Sequence, residues 1–409
     1  MNGVMDVKWV LQGLAWVVMV ALVLMVPMLP QWLPDASESM VARRYDSWSG
    51  VLRIWVCTQW QPGSGSFVPW LNKVSSSFQR KHPGVYVQVQ PVTSKLLTSF
   101  AEGDVSPPDM LLFAPGMLSS AENLLALNER NELRATLVDA GRYQGTPYAV
   151  PVAMGGYAWA TNARLIDGSP LDDQIQLPAP AKKGDPYYLM DAPMDTDGVC
   201  WSGALMSLLQ YIPSAENEQI ARTLVGEGLD LGLESVETPA PTPPAPVLPS
   251  ELFHPSPVPD DFRQLDSVLN HFRSGKLAAI PVTQAEIRKL DALSEQGRAP
   301  EWEIMPGIEQ YTDQLALFSI VNYERNHLAE RQALCVAYLN LLLGEDAQTQ
   351  LSSIRALPVV NISPIYSGQS AMAQLAHSYS AEMLICPNAF DTGFRERAKL
   401  ALDAALAGE

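Results

Sequence analysis

Basic residues are scarce: 27 lysines and arginines stand against 44 acidic residues in a chain of 409, for a formal net charge of −17. A nucleic-acid backbone is held by clustered Lys and Arg. No such cluster occurs, which excludes that class of partner, and the acidity fits an exported protein kept in solution. Cysteine is scarce too. Cys57, Cys200, Cys335 and Cys386 are far apart and form no CxxC pair, so a zinc or redox motif is absent. Cys57 ends an apolar, strand-like run and Cys335 falls in an apolar helix, where burial as a small hydrophobe is the default; no disulfide is expected. His82, His254, His271, His327 and His377 are isolated. GxSxG, HExxH, Walker and GxGxxG patterns are all missing. The pairs Asp172-Asp173 and Asp260-Asp261 lie in loops, whereas a glycosidase needs two carboxylates about 5–9.5 Å apart across a cleft. The expectation is a protein that is not an enzyme and uses no cofactor or metal.

What the chain does have begins at its amino end. Residues 9–30 are apolar except for Gln12, with Lys8 before them and Gln31 after. At ~1.5 Å per residue such a run can cross a hydrocarbon core of ~30 Å. A cleaved signal peptide would have a shorter apolar core and a small-x-small site. Here Met28, Leu29, Pro30, Gln31, Trp32 and Leu33 offer none, and the nearest candidate, Ala36, has Pro34 two residues before it. No cysteine follows the run, so lipid attachment there is excluded. An uncleaved transmembrane anchor is the favoured reading and a signal segment the alternative. Lys8 opposes Arg43 and Arg44, which leaves the positive-inside bias near neutral.

Residues 31–50 read as a tether. The run 51–57, interrupted only by Arg53, reads as a strand covered on both faces, and a Gly/Ser/Pro loop follows at 58–66. Phe67, Trp70, Leu71, Val74 and Phe78 then fall at helical spacing, with Ser66 as N-cap and Pro69 tolerated in the first turn. His82-Pro83-Gly84 stops that helix, and Val85, Val87 and Val89 alternate with Tyr86, Gln88 and Gln90 as a second strand. Strand, helix and strand in this order make a βαβ unit, so a parallel sheet is expected. A short helix is expected around Leu96, Leu97 and Phe100, a buried strand at 110–114, and a tight turn at Tyr143-Gln144-Gly145-Thr146 leading into 148–161. Nine prolines between 239 and 259 rule out a regular helix or central strand there and predict an exposed, semi-stiff loop. Order is expected again at 262–269, in strands at 276–282 and 313–321, and in a helix at 328–343 that is apolar on nearly every face and ends at Gly344. A shorter helix at 345–353 and an Ala/Leu-rich one at 394–406 complete the pattern.

Taken in order, several segments resemble the family 1 extracellular solute-binding proteins, the group that includes maltose-binding protein. The resemblance is carried by 51–56, by Phe78-Gln79-Arg80-Lys81-His82-Pro83-Gly84-Val85, and by Pro108-Asp109-Met110-Leu111-Leu112-Phe113. Its best match is Gly145-Thr146-Pro147-Tyr148-Ala149-Val150-Pro151 through Trp159-Ala160-Thr161-Asn162, with Thr161-Asn162 where the family has Tyr-Asn. Ser274-Gly275-Lys276-Leu277-Ala278-Ala279-Ile280, the segment 339–350 and Leu357-Pro358 extend it over most of 51–360. The resemblance implies an α/β, two-lobed periplasmic-binding-protein-like fold with three hinge crossings, preceded by the N-terminal transmembrane helix. Lobe 1 would comprise 51–152 plus 314–356, and lobe 2 153–313 plus 357–409, with the Pro-rich loop at 238–259. It further implies a monomer with its large part extracytoplasmic, membrane-held or, if the segment is cleaved, secreted. Its partners would be a small solute, carbohydrate favoured, and the permease subunits of an ABC importer. The alternative is a membrane-anchored sensor or scaffold that keeps the fold without transporting.

In open parallel sheets ligands bind beyond the carboxyl ends of the strands, which singles out the loops after Cys57, Ala114 and Val282. Gln59 and Trp60 offer an amide and a ring face, the groups sugar recognition uses; packing on the loop is the competing reading for Trp60. Phe113 and Pro115 follow from the third strand, although Gly116 supplies no carboxylate where maltodextrin-binding members have one. Asp109, at the far end of that strand, reads as structural. Met154, Gly155 and Gly156 are the expected hinge, the glycines for their backbone freedom, with Tyr157 facing the cleft. Asp197 and Trp201 sit at an expected helix start, where backbone donors are free. Thr283 and Gln284 complete the set, with Trp302 a weak addition.

Overall fold

The computed structural model describes residues 48–163, 188–190, 269–270, 272–275, 277–305, 312–379 and 386–394. The apolar run at 9–30, nearly all of the tether, Asp197, Trp201, the Pro-rich loop and the closing helix at 394–406 beyond its first residue lie outside them. No helix among the described residues is long and apolar enough to cross a membrane. The elements below all belong to the unit Gly50–Glu409.

The first half is built as its periodicities dictate. Strand β1 (Gly50–Cys57) runs parallel to β2 (Val85–Pro91), Val51 opposite Tyr86, and on its other side parallel to β3 (Met110–Phe113). Helix α1 (Val68–Lys81) joins the first two and buries Trp70, Leu71, Val74 and Phe78. It starts after Phe67 rather than Ser66, but the Ser66 hydroxyl still accepts from Val68 N at 3.1 Å. Helix α2 (Ser94–Ala101) is capped by Thr93, whose hydroxyl accepts from Leu96 N. A 3-10 turn, Ala135–Gly141, leads into the hairpin of β4 (Arg142–Tyr143) and β5 (Thr146–Pro147). Gln144 and Gly145 turn that hairpin at φ 50° and 82°, the left-handed pair a two-residue hairpin needs. Strand β6 (Val150–Met154) then closes the edge of this sheet.

The second half holds β7 (Tyr157–Asn162), β8 (Tyr188–Met190), β9 (Leu277–Thr283), helix α3 (Gln284–Glu295) and β10 (Trp302–Met305), its sheet ordered β10-β7-β9-β8. The chain returns as β11 (Leu315–Ile320), making the first sheet β2-β1-β3-β11-β6. That sheet is mixed, not parallel throughout: β11 is antiparallel to both β3 and β6. The reason is topological. Strand β6 leaves for the second sheet at Met154, and β11 arrives from it at Leu315, opposite that same residue.

Helix α4 (Leu328–Leu343), then α5 (Glu345–Thr349) and a 3-10 turn, Gln350–Ile354, cover the first sheet with α1. Tyr338 packs edge-on against Phe78 at 5.2 Å and beside Phe318 at 6.2 Å, and its hydroxyl meets Ser75 at 2.9 Å. Each fully buried ring here contributes about 1.5–3 kcal/mol relative to exposure. Helix α6 (Ala371–Ser378) belongs with α3 and β10. Residues 386–394, expected in the second lobe, pack instead on the first sheet's half. Ala389 N donates to Ala140 O at 2.7 Å, and Phe390 sits against Tyr143 and Phe113. Cys57, Cys335 and Cys386 carry free thiols.

Candidate functional site

Three stretches of chain lie side by side where the two sheets meet. Met154 and Leu357 exchange backbone hydrogen bonds at 3.0 and 2.7 Å. Gly155 N donates to Gln314 O at 2.7 Å, while the Thr312 hydroxyl donates to Gly155 O at 2.9 Å and accepts from Gln314 N at 3.0 Å. Glycine occupies 155 and 156 for a different reason from the one expected. Neither has a positive φ; what they lack is room. A Cβ at Gly155 would lie 2.2 Å from Gln314 Oε1, and one at Gly156 2.3 Å from the Tyr379 ring.

Around these backbones sit polar side chains with almost no exposure, which is tolerable only because each finds partners. Gln284, at 0% exposure, donates to Gln314 Oε1 at 2.7 Å and to Gln61 O at 3.1 Å, and its Oε1 accepts from Gly156 N at 3.1 Å. Tyr157, at 2%, donates its hydroxyl to Asp313 Oδ1 at 2.6 Å. Its backbone N–H donates to the Tyr379 hydroxyl at 2.7 Å, and that hydroxyl donates back to Tyr157 O at 3.3 Å. Arg134, its pKa lowered by burial, donates to Tyr379 O at 2.6 Å.

The other expected site residues divide by exposure. Thr283 is the N-cap of α3 in a capping box, accepting from Ala285 N at 3.2 Å while Glu286 accepts from both its hydroxyl and its N–H. Trp60 is 3% exposed, donates to Leu315 O at 3.0 Å and meets Phe67 edge-on at 4.9 Å, so packing claims both its ring and its N–H. Phe113 and Pro115 are buried. The loop after β3 is covered by the chain itself. Gly116 N donates to Ala389 O at 2.9 Å, and a Cβ there would lie 2.8 Å from the Phe394 ring. Gln59 is exposed on the loop after β1. Trp302 lies apart, its N–H on Ser294 Oγ at 2.9 Å. Thus Tyr157, Gln284, Trp60 and residues 154–156 come together, whereas Phe113 and Pro115 sit under the covered loop.

Sequence reasoning missed Thr312, Asp313, Gln314 and Tyr379. The first three carried a usable signal: a polar triplet directly before a strand that is apolar but for Ser319, where nothing is gained by polarity unless it is paired. Tyr379 carried none, since it meets Tyr157 across 222 residues.

No family model and no curated protein matches the chain. Solved structures do. The sugar-binding protein MalE of Xanthomonas citri aligns with a TM-score of 0.56 at 15% identity, covering 88% of this chain and 93% of that one. The cyclic α-maltosyl-1,6-maltose binding protein of Arthrobacter globiformis gives 0.53 at 13%, covering 88% and 95%. The chain has the two-lobed fold of these solute-binding proteins. The GacH receptor of Streptomyces glaucescens, solved unliganded and with acarbose, gives 0.51 at 15%, covering 88% and 94%. At such identities the likeness speaks for the fold, and the ligand must be argued from residues.

Proposed function

We propose that this chain is an extracytoplasmic carbohydrate-binding protein that closes on its solute between two lobes and delivers it to the permease of an ABC importer. One observation carries the reading: in a fold shared with sugar-binding proteins, the crossing strands are linked by amides, hydroxyls and backbone groups around two glycines. Such a junction can bend with little reorganisation of charge. Opening about Met154, Gly155 and Gly156 would uncover Tyr157 and Gln284, with Gln59 at the mouth, while Trp60 stays packed within the first half. Thr283, Asp197 and Trp201 complete the proposed lining, whereas Phe113 and Pro115, under the covered loop after β3, are left out of it. The apolar run at 9–30 would hold the protein, as a monomer, at the membrane with its large part outside.

A thermal-shift screen of sugars and oligosaccharides tests this. A binder raises Tm progressively with concentration, stabilising by about 2.7 kcal/mol at a hundred times its Kd. A flat response to every sugar, polyamine, iron chelate and phosphonate would instead favour a membrane-anchored sensor or scaffold. That second reading draws support from the loop after β3, which is already occupied by Ala389 and Phe394.

A further inference from the structure

The loop after β1 reaches across to the other half of the molecule. Arg288, on α3, donates from Nη1 to Gly63 O at 2.9 Å. Asp291, one turn further along α3, accepts from Arg355 Nη1 at 2.6 Å, the two side chains 35% and 34% exposed. Helix α3 continues strand β9 of the second sheet, whereas Gly63 and Arg355 belong to the first. Gly63 N donates to Arg355 O at 3.2 Å and Ser64 N to Ile354 O at 3.0 Å, which ties the loop to the turn that follows α5. Arg355 is held at φ 53°, a left-handed conformation costly for any residue but glycine. Its backbone is thereby fixed where its side chain can meet Asp291. Nor is there slack in the contact. A Cβ on Gly63 would lie 2.5 Å from Arg355 Cβ and 2.9 Å from Gln284 O.

We propose that Arg355–Asp291 and Arg288–Gly63 form a latch that shuts the two halves without any ligand, so that solute entry competes with it. The inference rests on the reading that the halves open about residues 154–156, and it supplies the regulation of that motion. The strength of the contact suits a latch: an ion pair this exposed biases an equilibrium by up to about fivefold, a bias that thermal motion and a bound solute can overcome. Separated halves would leave both partners in water, where neither is stranded.

Pulsed dipolar distance measurement on the full chain, with no sugar present, tests the latch. Spin labels go on Lys73→Cys of α1 and Glu295→Cys of α3, both exposed, with Cys200→Ala. Cys57 and Cys335 are buried, and Cys386, which is only half-buried, is changed to alanine as well. Arg355→Ala and Asp291→Asn should each lower the closed-to-open ratio by up to about fivefold, and 1 M salt should do the same to the parent. The exchanged pair, Arg355→Asp with Asp291→Arg, should recover most of the closed population. Gly63→Ala should open the molecule with its charges unchanged, and it decides the matter if either single charge variant fails to fold. Distance distributions identical in the parent and the folded variants would overturn the latch. A failure of the solute-binding reading looks different: the latch variants still open, but no sugar stabilises them or the parent.

Discussion

The two ends of the first sheet are held by opposite means. At the amino end of β3 a single carboxylate, Asp109, gathers everything. Its Oδ2 accepts from Arg53 N at 2.8 Å, and its Oδ1 from Arg325 Nη1 and Arg331 Nε, each at 2.9 Å, with Arg331 Nη2 closer still. Arg325 also donates to Pro108 O at 2.9 Å. At the other end the crossing segments are joined mostly by neutral groups: Gln284 to Gln314, Thr312 to Gly155, Tyr379 to Tyr157. Amides and hydroxyls both donate and accept, so a small rotation can trade one partner for another. A carboxylate between two guanidinium groups has no such freedom, because any opening strands buried charge. On the proposed reading, the contrast is between an end of the fold built to stay and a junction about which the halves would open.

The largest effect is expected from removing the carboxylate. Asp109→Ala leaves Arg325 and Arg331 facing each other, where burial already lowers the Arg325 pKa and the Asp109 charge opposes that. The expected loss is about 3 kcal/mol of unfolding free energy, read from the urea midpoint at unchanged m. A loss below about 1 kcal/mol, the size of an ordinary surface pair, would mean that this end is no more fixed than the other.

At the junction the limiting quantity is space, so the expected effect is smaller. Gly156→Ala puts a methyl group into the Tyr379 ring, and an overpacked site of this kind costs about 1–3 kcal/mol. Urea unfolding gives the number. The same variant should shift the distance distribution between the halves, which Asp109→Ala should not. If Gly156→Ala were neutral in both measurements, close packing would not be why glycine stands there.

This difference also separates what was legible in the sequence from what was not. Strands β1, β2 and β3 and helices α1 and α4 follow from local pattern: the alternation of Val85, Val87 and Val89, the spacing of Trp70, Leu71, Val74 and Phe78, and the stop at Gly344. Asp109 reads as structural from its place before a buried strand. Periodicity, however, reports only which face is buried. It is blind to the fact that Gln284 meets Gln314, or that Tyr379 returns to Tyr157, because those meetings depend on how distant segments cross. The direction of β11 escaped for the same reason. An aromatic residue near a strand end looks the same whether it is destined for a sugar or for a carbonyl, and Trp60 is bonded to the carbonyl of Leu315.

The smallest effect belongs to His82, on the same side of the sheet as Asp109. It is the C-cap of α1, with its ring 4.3 Å from that of Phe78. Burial, and then the neighbouring Lys81 charge, hold its pKa below the ordinary imidazole value of 6.5. The sign follows from proton counting. Below 6.5 the unfolded chain takes up a proton that the folded chain still refuses, so unfolding becomes more favourable as pH falls, until the folded imidazole also protonates. Above 6.5 both states are neutral there and the contribution is fully present. Urea midpoints measured from pH 7.5 down to 5 should therefore decline, and His82→Gln, which does not titrate, should flatten part of that slope. An unchanged slope would place the acid sensitivity elsewhere. A distance distribution between the halves that shifted over the same pH range only in the parent would be more damaging still. It would mean that this end communicates with the junction, and that the division between a fixed end and a movable one is wrong.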